Sequence, residues 1–500
     1  MTFDFETIDS LPPLAWCARV GRTGIVRVRC GRDVECVDGA FVEGAWDGEF
    51  GRMDFDDAVV LAGSGGVLRG NSVVFCSPFH PLEYLHVLPT KDELLVSNSL
   101  AFLFTEAEDR PDITYPKYFF DLLAHSRRGV PNYPVGLPTA GGRRIRPFYV
   151  CNLRVGRDLS IQELPKPLPA PPSCYSDYYE QLLRSVTAVA SNAEDQRRKR
   201  TYRLVSAISK GYDCTAAASL ASRAGGREAV TFTMSSVDGT HSDDSGVAIA
   251  TALGMKATEY DRSDVRRLPG TPEAEFFSNP GNLTEVGLLT MEWQLEGALF
   301  TTGRHGEDFW RISRRSKFRD LQEPDNAGQA GRGTTDFRIR VGYLHFPIPY
   351  ICAMHSPHLY AITCSEEMRP WTLGVSYDRP IARRLAEEAG VPRALFGQRK
   401  MGGSGRELRA MNDASERDFR EFCAAEVSAA ILQNLDQRRQ VERDRKHFRM
   451  HVMRHRLGIL PLIGPLLDWA GLDRWHAMWN SINLYRFHWG YERIRERYQV

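Results

Sequence analysis

The sequence carries no surplus of either charge: 64 Lys and Arg stand against 63 Asp and Glu, a net charge of +1. That balance removes the usual basis for a nucleic-acid partner, a bulk excess of basic groups. The ten cysteines are scattered, with no CxxC and no close His/Cys set. Neither a structural zinc site nor a disulfide framework is therefore expected, and a reducing compartment fits this usage. No signal-like apolar segment opens the chain, whose first residues Met1-Thr2-Phe3-Asp4-Phe5-Glu6 are acidic, so the expected location is cytoplasmic. Long apolar runs are missing too. Leu457 to Leu467 is apolar, but Pro461 and Pro465 interrupt it and Asp468 closes it, which is too short for a bilayer.

What is present is the composition of a soluble globular protein, 42% hydrophobic and 25% charged over 500 residues, a length that suggests two or three domains. Residues 1–164 carry short apolar runs separated by glycine-rich or acidic turns, such as Gly24 to Val28, Ala58 to Leu61 and Val73 to Cys76. This pattern predicts a β-rich region. Gly63-Ser64-Gly65-Gly66 reads as a hairpin turn rather than a nucleotide loop, because no helical pattern follows it. Residues 165–173, with Pro165, Pro167, Pro169, Pro171 and Pro172, read as a stiff linker. Beyond them, 174–425 alternates strand and helix patterns from a helix over Tyr175 to Ala190 onward, which argues for a parallel sheet with covering helices. A helix is expected from Asp413 to about Asp436, and 426–500 reads as a basic and aromatic helical extension that packs on the body or on a partner.

The centre of the chain is Leu204 to Leu220, LVSAISKGYDCTAAASL. Leu204 to Ile208 reads as a buried strand and Thr215 onward as a helix. The turn between them, Ser209-Lys210-Gly211-Tyr212-Asp213-Cys214, would gather backbone N–H groups and the positive end of a helix at one point, which suits a phosphate or pyrophosphate. The Ser209 hydroxyl and Lys210 ammonium add donors. An ordinary βα turn is the plainer reading of the same residues.

This stretch resembles the pyrophosphate loop Ser-Gly-Gly-x-Asp-Ser of the ATP pyrophosphatases, found in the synthetase domain of the asparagine synthetase and β-lactam synthetase family. Ser209, Gly211 and Asp213 match, while Lys210 replaces a glycine and Cys214 a serine. Two further segments follow in the family's order. Thr302-Gly303-Arg304-His305-Gly306-Glu307-Asp308 resembles Ser-Gly-x-Gly-x-Asp-Glu, with His305 at a glycine position and the acidic pair reversed. Tyr377-Asp378-Arg379-Pro380, then Phe396-Gly397-Gln398-Arg399-Lys400, resembles the late arginine-rich helix and basic pair.

The resemblance implies an α+β, β-rich N-terminal domain of degenerate glutaminase (Ntn-like) type. An α/β parallel-sheet ATP pyrophosphatase (HUP-like) domain and a helical C-terminal extension would follow it. It implies ATP and Mg²⁺, with Ser209 to Cys214 and Gly303 to Gly306 around the phosphates and Ser235 in the adenosine pocket, with Asp243 opening the helix behind it. Asp213, Glu307 and Asp308 would hold the metal, with Lys400 and Arg399 at the reacting centre. Thr2 stands where the glutaminases require cysteine, so glutamine is not the expected nitrogen source. The implied reaction adenylates a small-molecule carboxylate and passes the acyl group to ammonia or an amine, releasing AMP and pyrophosphate, in specialised biosynthesis. A homodimer or a biosynthetic partner protein is compatible with it. The rival expectations are an inactive scaffold or regulatory descendant, and a thiolation or nucleobase-modifying enzyme with a cysteine carrying sulfur.

Overall fold

The computed structural model describes residues 1–113, 115, 118, 136–237, 240–268, 273–277, 283–312, 333–400, 412–426 and 485–500. It has an α+β fold, with a β-rich N-terminal region followed by a parallel sheet.

Two sheets make the N-terminal region. One has seven strands, from Thr2–Thr7 at one edge to Leu137–Pro138 at the other, and the second has six, from Ile161–Pro165 to Glu35–Val37. Alternation puts one side chain in two on the facing surfaces. Trp16, Val28, Val87 and Val96 from the first sheet thus meet Phe41, Phe75 and Leu153 from the second in a dry core. Gly63 to Gly66 do not form a turn. They lie inside the strand Leu61–Arg69, paired with Phe41 to Gly44. A Cβ at Gly63 would stand 2.0 Å from the Glu43 carbonyl oxygen, so the glycine permits a close strand approach rather than a reversal. The reversal comes later, at Gly70-Asn71, between Leu61–Arg69 and Ser72–Cys76.

The proline-rich segment is tied down rather than free. Lys166 is buried and donates to Asn152 Oδ1 at 3.0 Å, and the Pro169 carbonyl meets His355 Nε2 at 2.7 Å. The helix Tyr175–Ala193 then leads into a five-stranded sheet. Its strands in chain order are Arg203–Ala207, Glu228–Phe232, Lys256–Tyr260, Ala298–Thr302 and Leu344–Pro347, all parallel and arranged 3-2-1-4-5. Both faces are covered, as a parallel sheet requires. Leu204, Leu299 and Leu344 join the core that holds the helix Tyr212–Arg223, while Val205, Val230 and Phe300 pack on the opposite face.

Two expected boundaries change. The helix after the first strand begins at Tyr212, not Thr215, which brings Asp213 and Cys214 into its first turn. Asp243 does not open a helix. After Glu228–Phe232 an antiparallel hairpin intervenes, Met234–Val237 with Thr240–Asp243, and the next helix is Val247–Ala252. A helix does begin at Asp413 and is described to Glu426; its expected end near Asp436 lies outside the described residues. The basic run Arg438 to Lys446, the apolar run Leu457 to Leu467, and Trp475 to Trp479 lie outside the described residues. The described end of the chain packs on the body: Tyr498 stacks on Phe102, Tyr491 meets Phe104, and Trp489 Nε1 donates to Asp418 Oδ2 at 2.8 Å. Among the described residues no helix is long and apolar enough to cross a membrane, and all ten cysteines are free.

Candidate functional site

Order 3-2-1-4-5 places a topological switch between the first and fourth strands, whose chains leave in opposite directions at their carboxyl ends. Open α/β sheets form their ligand crevice there. The two segments singled out above, following Ala207 and Thr302, both start at this point.

The first segment is folded by its own side chains. Ser209 Oγ accepts from the Gly211 amide at 3.2 Å, and Thr215 Oγ1 donates to the Ser209 and Gly211 carbonyls at 2.9 and 2.7 Å. Gly211, in extended conformation, precedes the helix Tyr212–Arg223, and no side chain caps it. The opening turn thus keeps its partial positive charge at the crevice. The Tyr212 amide makes only a long contact, 3.4 Å, to the Tyr377 hydroxyl. Lys210 is engaged elsewhere: its ammonium pairs with Asp243, and its amide donates to Asp244 Oδ1 at 3.2 Å. Burial pushes Asp244 up to about 6.

The second segment is pressed against the first. A Cβ on Gly303 would lie 2.2 Å from the Asp213 carbonyl carbon, and one on Gly306 would lie 2.6 Å from the Asp213 carboxylate. Only glycine admits that approach, which explains both positions. His305 takes a left-handed conformation, φ 65°, and its Nδ1 lies 3.2 Å from Asp308 Oδ2. Asp308 is buried, and burial raises its pKa. Glu307 is the more open of the acidic pair, its side chain 45% exposed against 7% for Asp308.

Arg379, given no role by the sequence reading, sits between the two segments. One Nη contacts Asp213 Oδ2, and the other lies 3.9 Å from Glu307 Oε2. Its guanidinium is withdrawn from water, and burial draws its pKa down to about 9. Asp213 Oδ1 is buried with no hydrogen-bond partner among the described residues. Lys400 lies 5.9 Å from the centre of the Tyr377 ring, in the field of Glu307 and Asp308. Its side chain reaches the surface, yet partial burial of the ammonium, with Arg379 nearby, lowers its pKa. Arg399 is exposed beside it. The Gly397 amide donates to the Lys210 carbonyl at 2.8 Å, which joins this late segment to the first loop.

Seven of the expected residues, Ser209, Lys210, Gly211, Asp213, Gly303, Gly306 and Glu307, are therefore drawn together at the switch point, with Lys400 close by. Tyr212 turns away: its ring is buried, and its hydroxyl contacts Arg383. Arg304 extends toward His80, Glu83 and His345, whose charge states it influences. Cys214 is half-buried with its thiol pushed up by burial, which weighs against the sulfur-carrier expectation. Ser235 lies in the hairpin, its buried Oγ without a hydrogen-bond partner among the described residues. Thr2 is exposed at the start of an edge strand, its nitrogen donating to the Gly24 carbonyl at 3.0 Å.

The sequence reading also missed a buried group beneath the crevice. Arg338 donates from Nε to Glu83 Oε2 at 2.7 Å and from both Nη atoms to Glu43 at 2.8 and 3.0 Å. His345, on the fifth strand, places Nδ1 3.9 Å from Glu83 Oε1 and Nε2 3.0 Å from Thr302 Oγ1. Burial pushes Glu83 up to about 7 and draws His80 down to about 3. The chain matches no protein-family model and no curated protein, so the geometry of the site carries the functional argument.

Proposed function

We propose that the chain is an ATP-dependent, AMP-forming amide synthetase of the asparagine synthetase and β-lactam synthetase type. In this reading the β-rich region is a degenerate Ntn-like glutaminase domain, and the parallel sheet is an ATP pyrophosphatase (HUP-like) domain. The observation that carries it is the convergence at the switch point. There an uncapped helix terminus faces a carboxylate-bearing loop, with Arg379 and Lys400 at its edge. Such a site offers N–H donors and cations to phosphate oxygens. It also offers carboxylate oxygens to a hard cation. The partnerless Oδ1 of Asp213 fits that cation, and Asp213 with Glu307 would hold Mg²⁺, which neutralises pyrophosphate charge when bound.

The division of labour follows from what each group now holds. Backbone N–H groups of the first helical turn bind the β- and γ-phosphates. Arg379 exchanges its contacts with Asp213 and Glu307 for phosphate oxygens. Lys400 stabilises charge developing at the α-phosphate and the acyl carbon. A carboxylate attacks the α-phosphorus, pyrophosphate leaves, and ammonia or an amine then displaces AMP.

A second reading has its own support: Lys210 is held by Asp243 and Arg379 contacts Asp213, so two cations of the site already have a carboxylate neighbour, as suits a scaffold that no longer turns over. Product analysis with carboxyl-¹⁸O substrates separates the two. Label in AMP is expected, and Lys400→Met should keep most ATP affinity while turnover falls about 10²–10³-fold. Label in inorganic phosphate with ADP as co-product overturns adenylation, and a folded chain with no ATP affinity favours the scaffold.

A further inference from the structure

His80, Glu83 and His345 are all buried, and one ligand atom from each lies within 4.8 Å of the other two. His80 and Glu83 come from the loop between the strands Ser72–Cys76 and Leu85–Pro89, and His345 from the last strand of the parallel sheet. The group therefore straddles the two halves of the chain. We propose that these three residues form a binding site for a divalent metal of the zinc class, separate from the nucleotide crevice and independent of the nucleotide reading.

The donor set is two imidazole nitrogens and one carboxylate oxygen. That combination suits Zn²⁺ and its neighbours in the transition series, whereas Mg²⁺ prefers oxygen ligands and bound water. Each ligand is also oriented from behind. The far nitrogen of His345 meets Thr302 Oγ1 at 3.0 Å, which directs Nδ1 at the carboxylate. Arg338 occupies Glu83 Oε2 at 2.7 Å and leaves Oε1 facing His345. Partners of this kind fix ring orientation and carboxylate geometry in metal sites.

His80 supplies the observation that no structural role accounts for. Its Nε2 is buried without a hydrogen-bond partner among the described residues; the His345 carbonyl acts on the ring but completes no hydrogen bond. Either nitrogen can ligate. Nδ1 accepts from the Leu82 amide at 3.3 Å, so ligation through Nδ1 displaces that amide, and ligation through Nε2 moves the ring proton to Nδ1 and breaks the same bond; either route costs one long hydrogen bond. Contraction of the 3.9 Å His345 to Glu83 separation by about half an ångström gives the ligand spacing of a tetrahedral ion with bonds near 2.0–2.1 Å. Three protein ligands leave a fourth position open. The site is thus a clip between the halves that keeps one exchangeable position.

The test uses the full chain stripped with chelator and titrated with Zn²⁺, and separately with Co²⁺ as a spectroscopic probe. One equivalent of Zn²⁺ should bind and raise Tm, with excess Mg²⁺ failing to compete. Co²⁺ should give the visible bands of a four- or five-coordinate ion without a thiolate charge-transfer band. His80→Asn and His345→Asn should each weaken Zn²⁺ affinity by at least about a hundredfold. His358→Asn, an exposed histidine elsewhere, should leave it unchanged. Failure of the folded wild-type chain to take up either ion overturns the proposal, as does Zn²⁺ affinity unaltered in both variants. If the variants do not fold, the wild-type Co²⁺ spectrum decides: a thiolate band assigns the ion to cysteine and overturns the site, and its absence with d–d bands in place supports it.

Discussion

Two arginines in this molecule each stand between two carboxylates, and they do so in opposite ways. Arg338 faces Glu43 and Glu83 between the halves of the chain, with Nε and both Nη atoms engaged and the attraction of its partners raising its pKa. Glu43 is held further by Ser64 Oγ at 2.7 Å and Asn98 Nδ2 at 3.2 Å. Arg379 meets Asp213 through one Nη and stands 3.9 Å from Glu307, and its pKa falls to about 9 because burial exceeds what those contacts return. The same residue type is therefore a fastened joint in one place and a cation with unsatisfied demand in the other. What distinguishes them is the number of donors in use, not burial, since both are nearly inaccessible. A buried cation left short of partners is the one suited to receive an anionic ligand.

The largest effect expected from this contrast is at Arg338. Arg338→Met strands two buried carboxylates and should cost about 3–5 kcal/mol of folding stability, read from urea midpoints. Arg338→Lys should recover less than half, because an ammonium cannot reproduce the fork. A loss below about 1 kcal/mol breaks the comparison.

Next comes a pH effect in the same interface. Asp336 is buried, accepts from Ser99 Oγ at 2.6 Å and Tyr498 hydroxyl at 2.8 Å, and burial raises it from 3.8 to about 6. The folded state therefore holds this proton more tightly than the unfolded chain, and the stability it contributes is full below 3.8 and lost as pH rises through about 6. Asp336→Asn should abolish that decline. The difference between wild type and variant should change by about 2–3 kcal/mol across the window and then level off.

Arg379→Met sharpens the contrast from the other side. It should weaken ATP binding in the presence of Mg²⁺ at least tenfold, about 1.4 kcal/mol, while moving the urea midpoint by less than about 1 kcal/mol equivalent. A large stability loss with unchanged affinity would make Arg379 a second Arg338. The smallest effect belongs to Asp243→Asn, which releases Lys210 from a solvent-facing pair and should alter stability by no more than about 0.5 kcal/mol.

The sequence made the crevice legible because its first two segments are local. An apolar run followed by a glycine turn and a helix is encoded within a dozen residues, and the parallel order follows from repeating that unit. The helix start at Tyr212 was harder to read, since Tyr, Asp and Cys are weak helix formers and the turn is enforced by Gly303 and Gly306 from another segment. The hairpin ending at Asp243 has a local signal in Asp238-Gly239, which the expectation of a helix opened by Asp243 leaves out. Arg338, Glu43, His80 and His345 carry no local pattern at all. Their meaning arises only when a loop of the first region meets the fifth strand of the second.

The bond from the Gly397 amide to the Lys210 carbonyl has a mechanical corollary. A Cβ on Gly397 would stand 2.4 Å from the Tyr212 ring, and that ring is fixed in turn by Arg383. The strand of chain that carries Lys400 is thus pinned three residues before the lysine. Lys400 therefore follows a short tether anchored beside the helix start. Its backbone position is set by the same turn that places the opening amides of the helix Tyr212–Arg223, so the spacing between the two is held by main chain rather than by side chains.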